Sequence, residues 1–292
     1  MDIYAEITSR VLATLETGEI PWEKPWVGND ACVGHKTGKP YSLLNQLLLG
    51  KPGEYLTFLQ AQAEGGRIKP GEKSRFVVFW KMQEELDKDT GEIKQKPCLR
   101  FYRVFHLDQT EGIEAKYDGA RQLSSHAETD STAEAVAAGY MSRSGVDLMT
   151  GNGNMSAYSP ADDLVIMPAK ELFRTTAGYY STLFHEFAHS TGNEHRLARF
   201  DGHERFGNAE YSKEELIAEL AAAMVMHSLG METDRSFRNS AAYLQGWLHA
   251  LRNDKRMIVF ASGKAEAAAR LILGTSETAE TVECAEEVTN HD

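Results

Sequence analysis

Cysteine is scarce in this chain, with Cys32, Cys98 and Cys284 the only three in 292 residues. They are too few and too scattered for a disulfide framework or a C-x-x-C metal knuckle, so a reducing cytoplasm is the expected setting. No run of eighteen apolar residues occurs, so no membrane-spanning helix and no membrane partner is expected. The opening segment, MDIYAEITSRVLATLETGE, is acidic and amphipathic, not basic and then apolar, and does not predict a signal peptide. An excess of basic charge is also missing: 31 Lys and Arg face 43 Asp and Glu, a net −12. That balance argues against a simple nucleic-acid binder.

The acidity is uneven. Residues 1–125 carry 17 Lys and Arg against 18 Asp and Glu, whereas the remainder carries 14 against 25. Within 36–103 the balance reverses to 13 against 8, so the N-terminal half can still present a basic face. With 42% hydrophobic residues, the length suits two domains.

The periodicity predicts an α+β protein. A helix over 3–17 stops at Gly18. IPWEKPW reads as an extended aromatic segment, and KTGKPYSLLNQLLL as a turn into a short helix. EYLTFLQAQAEGG reads as another helix ending at a glycine pair. RFVVFWKM and CLRFYRVFHL read as strands flanking the turn DKDTGEIKQ. Residues 110–130 are polar and form the best linker. Beyond them come a helix over 131–144, a loop at LMTGNGN and a short strand in DLVIM. Helices are then expected near 170–190, from Ser212 or Lys213 through SKEELIAELAAAMVMHSLG, near 236–253 and over 263–273. These divide the chain into an N-terminal domain (1–125), a mainly helical C-terminal domain (126–274) and a polar acidic tail (275–292) expected to be disordered.

Chemistry concentrates in TLFHEFAHSTGNEH. HEFAH on a helix sets His185 and His189 one turn apart, where both reach one ion. Glu186 lies near the same face and can take a proton from a water whose pKa Zn²⁺ lowers to about 7. Gly192 and His195 complete H-E-x-x-H-x-x-G-x-x-H, the metzincin spacing, which makes His195 a candidate third ligand. That reading also wants a downstream Met-turn, but Met224, Met226 and Met231 fall in or beside an expected helix. The rival is EELIAEL, where Glu215 and Glu219 share one helical face among apolar neighbours and need partners there. One carboxylate can bind the metal while the other holds a histidine's second nitrogen. Glu215 is favoured as ligand because E-x-x-A-E resembles the pattern of gluzincin-type peptidases; Glu219 and His195 remain the alternatives. DLVIM suits either a peptide-binding edge strand or an ordinary core strand.

In the N-terminal half, aromatic residues are interleaved with cations, as a single-stranded nucleic-acid surface requires, although most of the aromatics taken singly read as core, Phe76 and Phe79 as strand interior. Candidate contacts are Trp22, Lys24, Trp26, Lys39, Tyr41, Asn45, Lys73, Arg75, Trp80 and Lys81.

The segments IPWEKPW, KTGKPYSLLNQLLL, YLTFLQAQAEGGRIKPGEKSRFVVFWK, YYSTLFHEFAHSTG and EELIAELAAA, in this order, resemble the plasmid antirestriction family ArdC. The resemblance implies an N-terminal single-stranded-DNA-binding domain joined to a zincin-like metallopeptidase domain similar to the Spartan-type proteases. It implies protection of incoming conjugative plasmid DNA. The H-E-x-x-H chemistry itself points to Zn²⁺, with Mn²⁺ the alternative. The resemblance supports His185, Glu186 and His189 as site residues and the helix of Glu215 and Glu219 as source of the third ligand. Three readings follow: a protease acting on DNA-bound protein, a non-proteolytic protein that shields DNA, and an acidic DNA mimic that inhibits a restriction enzyme.

Overall fold

The computed structural model describes residues 2–18, 31–86, 93–117, 126–151, 155–200, 209–231 and 240–275. IPWEKPW with Trp22, Lys24 and Trp26, the DKDTGEIKQ turn residues 87–92, and nearly all of the acidic tail lie outside the described residues. The fold is α+β. Among the described residues no helix is long and apolar enough to cross a membrane.

Helix α1 (Ile3–Glu16) begins where the Asp2 side chain accepts from Ala5 N and buries Ile7, Val11 and Leu15, the apolar positions that predicted it. A four-stranded sheet follows, in the order β1 (Cys32–Gly34), β2 (Gly53–Leu56), β5 (Ile93–His106), β4 (Arg75–Leu86). Strands β4 and β5 pair antiparallel from Arg75↔Val104 to Leu86↔Ile93, forming the expected hairpin. Its base is buried on both faces. Phe76 and Val78 join a helical core, while Val77 and Val104 join Cys32, Leu49 and Tyr55 in a smaller one.

The stretch expected as one helix at EYLTFLQAQAEGG is instead β2 followed by α3 (Phe58–Ala63). Thr57 and Gln60 form a reciprocal capping box that starts the helix late, and Tyr55 and Leu56 are buried in the sheet. Asn45, read as a DNA contact, is instead a buried clamp. From α2 (Leu43–Leu49) its amide donates to Val78 O (2.8 Å) and accepts from Val78 N (2.7 Å).

The polar stretch 110–130 is built at both ends. Thr110–Glu111 (β6) pairs with Arg67–Ile68 (β3), and α4 (His126–Ser144) starts earlier than its apolar residues suggest. The Lys116 and Tyr117 N–H groups donate to Glu54 at 2.9 and 2.8 Å. Glu54 also meets His35 Nδ1 at 2.5 Å, and His35 Nε2 meets Glu64 at 2.9 Å. His35 and Glu54 are buried, so His35→Leu leaves Glu54 facing an apolar group. We expect a loss of about 3 kcal/mol, read as a shift in the chemical denaturation midpoint.

A three-stranded sheet has the order β7 (Asp147–Gly151), β9 (Leu164–Pro168), β8 (Ala157–Ser159). The segment LMTG is therefore a strand, not a loop, because it pairs parallel with β9. DLVIM supplies the central strand, which overturns its reading as an edge; the antiparallel edge is β8. Helices α5 (Thr176–Ser190), α6 (Ala209–Ser228), α7 (Ser240–Asn253) and α8 (Met257–Leu273) complete the fold. α8 starts six residues before its expected position, since Met257, Ile258 and Val259 are buried.

One apolar core crosses the expected domain boundary, linking Ile7, Val11, Leu43 and Phe76 to Leu216, Trp247 and Ala265. α8 also reaches α2 directly, where the Glu266 carboxylate accepts from Leu43 N at 2.5 Å. This supplies the partner that Ser42, at the N-cap of α2, does not.

Candidate metal centre

Thr175 caps α5 by accepting from Gly178 N at 3.0 Å. The helix then runs buried through Leu183, Phe184, Phe187 and Ala188, which places HEFAH against α6. His185 Nε2 and His189 Nε2 approach to 2.9 Å. From α6, the Glu215 carboxylate lies 3.6 Å from His185 Nε2 and 3.4 Å from His189 Nε2. The three donors lie within 4.8 Å of one another. Two ligands of a tetrahedral ion at its usual bond lengths stand about 3.3 Å apart, so this set fits a divalent ion. Two imidazoles with one carboxylate are also the donor chemistry of catalytic zinc sites, which keep a position open. Glu186, next to His185 on α5, is 5% exposed.

Each imidazole has a carboxylate behind it. Glu219 lies 3.4 Å from His185 Nδ1, in the supporting place that the sequence offered it. The support of His189 is Glu214, 3.6 Å from Nδ1, which the sequence reading did not single out. A helical face drawn through Glu215 and Glu219 omits the residue beside it, and only the way α5 lies across α6 brings Glu214 to the second histidine.

Glu214 is gripped in turn by Arg199, whose side chain is 3% exposed. Arg199 donates to both Glu214 oxygens (3.1 and 2.6 Å), to Thr191 Oγ1 (2.7 Å) and to Ala188 O (2.8 Å). One loop residue, Arg199, thus joins the site through the Glu214 carboxylate. Arg199→Met keeps the bulk and removes the grip, and we expect metal affinity to fall about 10- to 100-fold in a chelator competition.

His195 is not part of the cluster. It sits on the loop after α5 with its side chain 80% exposed beside Glu194. Arg196 fixes that loop by donating to Ser190 O (2.7 Å) and Asp163 (3.0 Å). Gly192 lies in the turn that follows α5, its N–H donating to His189 O at 2.8 Å. A Cβ there would meet the Phe200 ring at 2.7 Å, so glycine makes room for Phe200 over Tyr158. Met224 and Met226 lie inside α6, with Met226 in the core and no Met-turn made of them.

Charge binds the centre together. Burial opposes a charged His189, but Glu214, Glu215 and Glu186 outweigh it and raise its pKa to about 10. Burial likewise opposes a charged Glu214, and His189 and Arg199 outweigh it, holding its pKa below 4.5. In the metal-free protein, stability from His189 is full below 6.5 and is lost as pH rises through about 10. Stability from Glu214 is present above 4.5 and is lost as pH falls through its lower folded value. A metal must displace the His189 proton. Affinity is expected to rise about tenfold per pH unit between roughly pH 7 and 9, with about one proton released. Calorimetry in buffers of different ionisation enthalpy reads that proton, and a pH-independent affinity contradicts the assignment.

Both halves of the chain match known protein families. Residues 1–105 match the N-terminal domain of the anti-restriction factor ArdC, and residues 135–264 match the zincin-like metallopeptidase family MPTase-PolyVal. Protein y4eC of Sinorhizobium fredii is 32% identical over 284 residues, covering 91% of this chain and 89% of y4eC. DNA primase TraC of Escherichia coli is 31% identical over 288 residues, but this covers 90% of the chain and 26% of TraC. The solved antirestriction protein ArdC from plasmid R388 superposes with a TM-score of 0.74 in its metal-free structure, at 36% identity. Its Mn(II)-bound structure gives 0.75 at 33% identity, covering 94% of this chain and 98% of that one. With both halves matched in order and nearly the whole of a solved ArdC covered, this chain belongs to the ArdC family of plasmid antirestriction proteins.

Proposed function

We propose that this protein is a divalent-metal-dependent endopeptidase that cleaves protein held on single-stranded DNA, and that it protects incoming conjugative plasmid DNA in this way. The observation carrying the reading is the convergence of His185, His189 and Glu215 on one point with Glu186 on the same helical turn. These three residues would hold Zn²⁺, with Mn²⁺ the alternative that the R388 relative binds. A bound ion would supply Lewis acidity to a water and to the scissile carbonyl. Glu186 accepts the proton of the attacking water and delivers it to the leaving amine. Glu219 and Glu214 keep the two imidazoles oriented. The edge strand β8 packs beside α5 and offers an extended peptide a strand to pair with.

Single-stranded DNA is assigned to the N-terminal half, where Lys39, Lys73, Arg75, Trp80 and Lys81 are exposed. Tyr41 packs against the smaller core beside Phe79 and is a weaker candidate. The reading is tested on casein mixed with single-stranded DNA and protein loaded with Zn²⁺ or Mn²⁺. Hydrolysis is expected with metal and is expected to cease with chelator. DNA affinity is expected to fall as salt rises, because phosphate contacts release counterions. Absence of metal-dependent hydrolysis, or of any DNA binding, sinks the corresponding half of the proposal.

A further inference from the structure

Three large aromatic side chains are left open at the junction between the hairpin and the last helix. Trp80 is 47% exposed, Phe101 44% and Phe260 43%. The Trp80 and Phe260 rings lie 6.1 Å apart, tilted by 36°. Residues directly opposite in an antiparallel pair share a face. The register Phe76↔Arg103, Val78↔Phe101 and Trp80↔Leu99 therefore puts Phe101, Trp80 and Arg103 on the side that packs against the helices. Phe76 and Val78 are covered there, while Trp80 and Phe101 extend past the cover.

Cations border these rings. The Arg10 guanidinium lies 4.3 Å over Phe76, whose ring meets Phe101 edge-on at 6.4 Å. Arg103 is exposed on the same face and has no ion pair among the described residues. Arg256 stands one turn before Phe260 on α8, 5.2 Å over Tyr4. Glu6 pairs with Arg10, and the Asp254 carboxylate accepts from Arg256 N at 2.9 Å. The opposite face of the hairpin differs, since Phe79 and Tyr102 pack on each other and on the smaller core.

Flat rings bordered by guanidiniums suit unpaired bases and their phosphates, whereas duplex DNA keeps its base faces stacked internally. We propose that single-stranded DNA stacks across Trp80, Phe101 and Phe260, so that its binding surface crosses from the ArdC-type half onto α8 of the zincin-like half. The assignment rests on the reading of single-stranded DNA as partner and adds the place. It also brings a residue remote from the N-terminal sequence signals into contact with the nucleic acid. DNA bound there contacts the helix that packs on α6, the element carrying Glu215.

The test uses the full-length metal-loaded protein and a short fluorescein-labelled oligothymidylate. Phe260→Ala and Trp80→Ala are each expected to weaken binding about 5- to 100-fold, with metal content and thermal midpoint unchanged. Quenching of tryptophan emission by unlabelled oligonucleotide is expected to diminish in Trp80→Phe, while that conservative variant keeps most of its affinity. Wild-type binding that all these variants leave unchanged overturns the seam and leaves the DNA reading intact. Absence of wild-type binding overturns both. Concentration-dependent dimerisation abolished by Phe260→Ala, with DNA affinity unchanged, shows a second copy on the seam and also overturns it.

Discussion

Glu186→Gln is expected to lower metal-dependent protein hydrolysis about 10²- to 10⁴-fold while metal content and DNA affinity stay at wild-type levels. Glutamine keeps the shape and one acceptor oxygen of the buried side chain but cannot take a proton. The donors His185, His189 and Glu215 are untouched, as are the supports Glu214 and Glu219. A fall in metal occupancy would instead mean that Glu186 helps to hold the ion. The same variant separates two biological roles. If it hydrolyses nothing and still protects plasmid transfer into a restricting host, protection does not come from proteolysis, and DNA affinity then separates shielding from mimicry. If protection falls with hydrolysis, the protease carries it.

Much of this centre is legible in five letters, because HEFAH on a helix fixes which atoms face one way. The third donor is harder to read, since sequence spacing offers His195 and helix packing offers Glu215. Spacing counts residues along the chain, whereas the ligand is chosen by which element lies across α5. His195 is exposed on the loop after α5, whereas Glu215 is buried where α6 meets that helix. Glu214 and Arg199 are invisible for the same reason: their tie is fifteen residues long in sequence and a hydrogen bond in space.

The fold shows a parallel pattern. The β4–β5 hairpin and the long helices announce themselves by periodicity. The strands at 53–56 and 147–151 do not, because four or five residues are too short for alternation to stand out from a neighbouring helix or turn. Asn45 and Trp80 show the limit for surface readings. Both are chemically fit to touch DNA, and only burial assigns one to the core and leaves the other open.

A series at the third ligand is expected to order the carboxylates by role. Glu215→Ala should lower metal affinity on the order of 10³-fold, about a third of the roughly 12 kcal/mol that a structural zinc site supplies. Glu219→Gln should cost about 10- to 100-fold, since it loosens an imidazole but removes no donor. His195→Ala should change nothing, its ring being at the surface beside Glu194. The affinities are read by competition with a chelator of known strength. Thermal stabilisation by excess metal should follow the same order, because a thousandfold weaker site forfeits up to about 4 kcal/mol of ligand-linked stability. A reversed order of Glu215 and Glu219 would move the ion to the Nδ1 side of His185, away from His189 Nε2. The site would then lose the two-histidine convergence on which the proposed chemistry depends. Loss of metal in His195→Ala would require the loop that Arg196 and Arg199 pin down to swing inward, breaking their bonds to Asp163 and Glu214. The two arginines that hold the His195 loop in place therefore make the outcome of the series decisive.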